Sequence, residues 1–157
     1  MNDESLINVL MAHDFFRDLE PQAIAFLAGN ARNTNLASGE ILFEHGQPAD
    51  RFYLIRSGRI TVGVPAIEGP SLEVQTLGPG EVLGWSWLIP PYRWNFRGQV
   101  IEAAEVIEFD GKVMLERCET DPAFGYPLMK RFAALMSERL EAARRKMMDQ
   151  WNPAGFA

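Results

Sequence analysis

Gly39-Glu40-Ile41-Leu42-Phe43-Glu44-His45-Gly46, then Phe52-Tyr53-Leu54-Ile55-Arg56-Ser57-Gly58-Arg59-Ile60-Thr61-Val62, then Leu77-Gly78-Pro79-Gly80-Glu81-Val82-Leu83-Gly84: these three pieces decide the fold class of a 157-residue chain. Apolar residues recur at every second position, as Ile41/Phe43, Phe52/Leu54, Ile60/Val62/Val64, Leu72/Val74 and Val106/Phe109. Gly39, Gly46, Ser57-Gly58, Gly69-Pro70 and Gly78-Pro79-Gly80 punctuate them, with Glu68-Gly69-Pro70 as a hairpin tip. A period of two bounded by turn residues marks short strands of a sandwich or barrel. Residues 35–110 are therefore expected to form a β-roll.

On both sides of the roll the period becomes helical. Leu6, Ile7, Val9, Leu10, Ile24, Phe26 and Leu27 predict a helical lead-in over residues 1–34, with Pro21 in a first turn, where its missing N–H is harmless. After Gly111 helices return, and Asp121-Pro122 reads as the N-cap and first residue of a long helix to about residue 151. Its predicted apolar stripe is Leu128, Phe132, Leu135, Met136, Leu140, Ala143, Met147 and Trp151. Glu138, Arg139, Glu141, Arg144, Arg145 and Asp149 are assigned to the opposite, solvated face, and Asn152-Pro153-Ala154-Gly155 to the stop. So long a stripe either meets a second chain in a two-stranded seam or folds back along its own domain.

Composition narrows the functional classes. A hydrophobic share of 47% and a charged share of 23% suit a single globular domain. A net charge of −6 argues against a general nucleic-acid binder, which needs a basic face. No apolar run reaches the ~20 residues that cross a bilayer, and the acidic N-terminus lacks the basic start of a secretory signal. Cys118 is the lone cysteine, so neither an intrachain disulfide nor a cysteine metal cluster is available. A cytoplasmic location is the expectation.

Strand order, glycine turns and the Gly78–Gly84 loop together resemble the cyclic-nucleotide-binding domain of the catabolite-activator (Crp/Fnr-like) family. The resemblance implies one domain over residues 1–157: a mainly β double-stranded β-helix, or jelly roll, with flanking helices, those at the C-terminus over 111–151 and including a long one. It implies a sensor rather than a catalyst, with no cofactor and a cyclic nucleotide such as cAMP or cGMP as the ligand. Gly80-Glu81 matches the Gly-Glu pair that opens the family's phosphate cassette, where the carboxylate takes the ribose 2′-hydroxyl; Val82, Leu83 and Gly84 continue it. The family's phosphate arginine falls on Trp94, with Asn95 and Phe96 at the small positions that follow. Arg93 lies one residue away and Arg97 three. The implied site is Gly80, Glu81, Val82, Leu83, Gly84, Arg93, Trp94, Asn95 and Arg97. An indole supplies one N–H where a guanidinium supplies a charged fork. The resemblance further implies a homodimer through residues 122–151. The family's helix-turn-helix would follow that helix; the sequence ends at Ala157, so direct DNA contact is not expected and the output goes to a protein effector.

Three of the four tryptophans fall in Gly84–Arg97, around Pro90-Pro91. Trp85, Trp87 and Trp94 either pack this segment on the roll and the long helix or line an aromatic pocket for a planar ligand. His13 and His45 form no metal-binding pair, Cys118 has no histidine partner by motif, and Glu102/Glu105 and Glu116/Glu119 read as solvated faces. An enzyme is not expected. The leading reading is a small-molecule-sensing regulatory module. The alternatives are a ligand-free interaction module whose pocket is filled by its own Trp94 or Phe96, and a transcription regulator of the same family.

Overall fold

Two long strands carry the architecture. In the computed structural model, which describes residues 3–64 and 72–150, β3 (Arg51–Val64) and β6 (Arg97–Asp110) pair antiparallel from Arg51↔Asp110 to Gly63↔Arg97. β1 (Ala31–Leu36) and β2 (Ile41–Phe43) join β6, while β4 (Leu72–Leu77) and β5 (Val82–Leu83) join β3. The β3–β6 ladder slips register between Ile55 and Ile60. Gly58 sits at that bend with φ +84°, and a Cβ there would lie 2.4 Å from the Ala103 carbonyl oxygen. Only glycine allows both the left-handed backbone and the close approach. The bend curls the sheet into a jelly roll.

Four consecutive buried residues, Phe52-Tyr53-Leu54-Ile55, show that both sheet faces are covered there. Tyr53 and Ile55 point into the roll with Ile60, Leu83, Val100 and Val106. Phe52 and Leu54 point outward to α1 (Asp3–Met11), α2 (Pro21–Gly29) and α4 (Pro122–Gln150), among Leu6, Leu10, Leu27, Phe109 and Leu128. Phe132 of α4 meets Phe15, Phe52 and Trp87 edge-on at 5.1–5.2 Å, and Phe16 stacks on Phe109. Rings of this size dominate such a core. Glu108, buried on β6, accepts from Arg32 of β1 and from Arg51 of β3 and thereby pins three strands.

Three expectations are corrected. Residues 31–34, assigned to the helical lead-in, are strand β1, paired Ala31↔Phe109 to Thr34↔Val106. Arg32, Asn33 and Thr34 lack apolar alternation because they serve β6 through backbone pairing and, at Arg32, through the ion pair with Glu108. The long helix does not carry one stripe. Leu128, Phe132 and Leu135 are buried on their own roll, whereas Leu140 and Met147 are 73% and 68% exposed on a neighbouring row. Arg139, assigned to solvent, is buried because steps of four, three and four from Leu128 carry it onto the inward row. The expected hairpin tip at Glu68-Gly69-Pro70, Trp151 and the stop at residues 152–155 lie outside the described residues. Between β6 and α4 runs α3 (Gly111–Thr120), capped by Asp110, whose carboxylate accepts from the Lys112 and Val113 N–H groups.

Candidate functional site

The loop between β4 and β6 supplies most of the site. Before β5 the chain turns at Gly80 (φ +87°), whose N–H donates to Ile55 O at 2.8 Å, while Ile55 N–H donates to Glu81 O at 3.0 Å. The Glu81 carboxylate accepts from Gly78 N at 2.7 Å, so it closes its own turn on the surface. His13 Nε2 reaches Gly80 O at 2.6 Å; because Phe15 N–H donates to Nδ1, Nε2 carries the proton and donates. This clasps the lead-in to the loop.

Beyond β5 the chain turns again at Gly84 (φ +103°). The Leu88 N–H donates to Trp85 O at 3.0 Å, and Trp87 Nε1 donates to Gly84 O at 3.2 Å. Residues 85–96 form turns and bends plus one isolated bridge, Pro48↔Arg93, not a helix. The stack of amide N–H groups that a helix start offers an anion is therefore missing from this stretch. Trp87 drives inward onto Phe52, 5.0 Å between ring centroids, and belongs to the core.

A cavity of ≈ 330 Å³ opens between this loop, the roll and α4. One wall is Phe43 stacked on Trp94, 3.7 Å between centroids and 8° from parallel, continued by Leu83, Phe96 and Trp85. Gly84 backs Trp94: a Cβ there would sit 2.9 Å from Trp94 Cη2. α4 forms the opposite wall with Met136, Arg139, Leu140 and Ala143. Ser86, Gln75 and Arg139 are the polar side chains on an otherwise apolar lining.

Of the residues expected in a site, Leu83, Gly84 and Trp94 line this cavity. Gly80, Glu81 and Val82 border a shallower cleft of ≈ 280 Å³ with His13 and Glu138. Arg93 faces away, donating from Nη1 to Gly46 O at 2.8 Å beside a groove lined by Pro48, Tyr92 and Lys112. Arg97 grips Glu44 through Nε and Nη2. Asn95 is exposed. Neither nearby guanidinium enters the cavity. Arg139 of α4, expected on the solvated face, lines this cavity and also borders the Gly80–Val82 cleft, and Phe43, Ser86 and Gln75 are further lining residues that no sequence motif singles out. Arg139 Nη2 donates to Val82 O, and its Cζ lies 6.0 Å from the Trp85 ring centroid. Burial holds its pKa below the usual arginine range, against the attraction of Glu81 and Glu138.

Comparison with known proteins bears on this geometry. The family model described as the cyclic nucleotide-binding domain matches residues 33–121, more than half of the chain. The chain belongs to the cyclic nucleotide-binding domain family. It is similar to a CRP-like cAMP-activated global transcriptional regulator of Mycobacterium tuberculosis, 23% identical over 141 residues. That match covers 90% of this chain and 61% of the relative, so the chain spans about three-fifths of the relative's length. Its fold resembles a cyclic nucleotide-binding domain from Methylobacillus flagellatus (TM-score 0.77, 14% identity, 94% of this chain and 83% of that one). It also resembles the regulatory domain of Toxoplasma gondii PKA crystallised with cAMP (TM-score 0.62, 18% identity, 71% and 42%). Within this cyclic nucleotide-binding domain the described residues hold no group of three or more His, Cys, Asp or Glu placed for a metal ion. No helix among them is long and apolar enough to cross a membrane.

Proposed function

We propose that this domain is a small-molecule sensor whose phosphate cassette is degenerate, and that α4 transmits the state of the cavity to a second copy of the chain and to a protein effector. The observation that carries the reading is the ≈ 330 Å³ cavity with α4 as one wall. That volume is at the lower end of ligand pockets. Anything bound there touches Met136, Leu140 and Ala143. Those residues belong to a row that continues outside the cavity as Tyr126, Met129, Ala133 and Met147, in steps of three and four. A row with that spacing, 65% exposed at Tyr126 and 73% at Leu140, suits a two-stranded seam. Ligand and partner chain would then compete for, or share, the same side chains.

The family and the cAMP-activated relative favour a cyclic nucleotide as ligand. The positions of Arg93 and Arg97 weigh against tight binding of its phosphate, since losing a charge-assisted contact of this kind costs on the order of 2–5 kcal/mol. A thermal-shift and tryptophan-fluorescence screen containing cAMP, cGMP, cyclic dinucleotides and apolar acids tests the reading. The expected result is a ligand-dependent rise in Tm with a change in Trp85 and Trp94 emission. No response from any compound, together with an Ala143→Phe variant that fills the cavity without changing self-association, defeats it.

A ligand-free interaction module is the second reading, favoured by Trp94 lying flat on Phe43 within the lining. It predicts that Trp94→Ala leaves partner binding intact.

A further inference from the structure

One charge on the cavity wall has no ion-pair partner among the described residues. Arg139 is 9% exposed and gives a single hydrogen bond, to a backbone carbonyl, out of the five N–H groups that a guanidinium carries. Glu81 and Glu138 act on it through space, but among the described residues no carboxylate forms an ion pair with it. The arginines that form ion pairs among the described residues keep their side chains partly in water, whereas Arg139 is buried. Burying a cation on these terms is costly, and packing alone does not need it, because a methionine would fill the same volume.

The rest of the lining defines what would complete Arg139. Phe43, Trp94 and Phe96 present flat apolar faces, and Ser86 adds one hydroxyl to an otherwise apolar lining. A cyclic nucleotide would bring a ribose and a purine edge rich in polar atoms, which Ser86 and Gln75 could serve only in small part. The complement with fewest unsatisfied groups is a compact body with one anionic end.

We propose that the cavity takes an organic monocarboxylate with a planar or apolar body, its carboxylate on the Arg139 guanidinium and its body against the Phe43–Trp94 wall. This rests on the reading of the cavity as a ligand site, and adds the chemical class. The carboxylate would pair with N–H groups not committed to Val82, so the tie between α4 and β5 survives binding. Recognition would then start from the long helix rather than from the loop that the family uses.

The test titrates the intact chain with 3-phenylpropionate and octanoate and with their primary amides, followed by calorimetry and tryptophan emission. The two acids separate a planar body from a flexible one. Expected is binding of at least one acid more than tenfold tighter than its amide. Arg139→Met and Arg139→Gln should both abolish that preference. Arg139→Met should also match or exceed the wild-type Tm, which a merely structural arginine would not allow. Equal binding of acid and amide by the wild type overturns the proposal and leaves a sensing cavity standing. So does a response to cyclic nucleotides with none to either acid. A silent cavity toward every compound removes the proposal together with the reading beneath it. Loss of folding in both variants would mark Arg139 as structural and count against the proposal.

Discussion

At Gly84 the backbone runs at φ +103°, and the ring of Trp94 occupies the space where a side chain would stand. Alanine there meets both a left-handed backbone and a contact of 2.9 Å, so Gly84→Ala should cost about 1–3 kcal/mol from the backbone alone. Trp94 would also be pushed off Phe43, and its emission should change in the folded state. Unaltered emission and Tm would show that the wall is not held this way. Cys118 gives a second prediction at the same scale. Burial, with a smaller push from Glu119, raises its pKa to about 11. At pH 8 its thiolate fraction, and hence its alkylation by iodoacetamide, should be at least roughly tenfold lower in the folded chain than in urea. The folded thiol holds its proton over a pH range where the unfolded one has lost it. Its contribution to stability is therefore complete below pH 9 and lost as pH rises toward 11, and Cys118→Ala should flatten that decline. Single residues also show where the sequence ran out. Glu81 could be seen to sit in a Gly-Glu turn, but not that its carboxylate would spend itself on Gly78 N–H, five residues ahead of Leu83, where this segment begins to line the cavity. Arg139 was legible in principle, at steps of four, three and four from Leu128, but its charge argued for solvent and concealed the inward row.

Among the elements, α4 carries a buried row beside an exposed apolar one. Its inward row, Phe124, Leu128, Phe132, Leu135 and Arg139, is buried, whereas Tyr126, Met129, Leu140 and Met147 are exposed. The two rows predict opposite phenotypes. Phe132→Ala removes a ring wedged among Phe15, Phe52 and Trp87 and should cost about 3–5 kcal/mol, read as a lower urea midpoint. Met129→Glu should leave the midpoint within roughly 0.5 kcal/mol of wild type, because the side chain is in water in the single chain. It should instead reduce the mass seen by light scattering to that of one chain. If Met129→Glu unfolds the protein, the outward row is not a seam. Strands differ in how well they announced themselves. β3 was legible through Phe52/Leu54 and Ile60/Val62, where each face has its own core to fill. β1 was not, since Arg32, Asn33 and Thr34 contribute chiefly backbone pairing to β6 and its side chains carry no period. Turn positions were the most readable feature, because Gly39, Gly46, Gly80 and Gly84 all adopt positive φ, whereas Gly58, expected as a turn between two strands, is a bend inside the single strand β3.

For the whole molecule, the decisive point is that the cavity and the proposed seam draw on one stretch of helix. Met136, Leu140 and Ala143 line the cavity and belong to the row that would face a second chain. Any ligand whose affinity differs between the single and the paired chain must shift pairing, and with one equivalent site on each chain of a dimer the shift at saturation is the square of the factor by which pairing changes the affinity of one site. That relation can be measured without knowing the physiological ligand. With octanoate as the probe, sedimentation should give a dimer dissociation constant that changes with probe concentration. Met129→Glu lies outside the cavity lining, so it removes pairing without touching the site. Its affinity for octanoate should therefore differ from that of wild-type dimer by the square root of the factor seen in sedimentation at saturating probe. A change of fivefold or more is the expectation, since coupling between sites is typically 1–3 kcal/mol. Should the probe bind wild type and Met129→Glu equally while both the cavity and the dimer are real, α4 carries two independent faces. The signal would then have to leave through another surface.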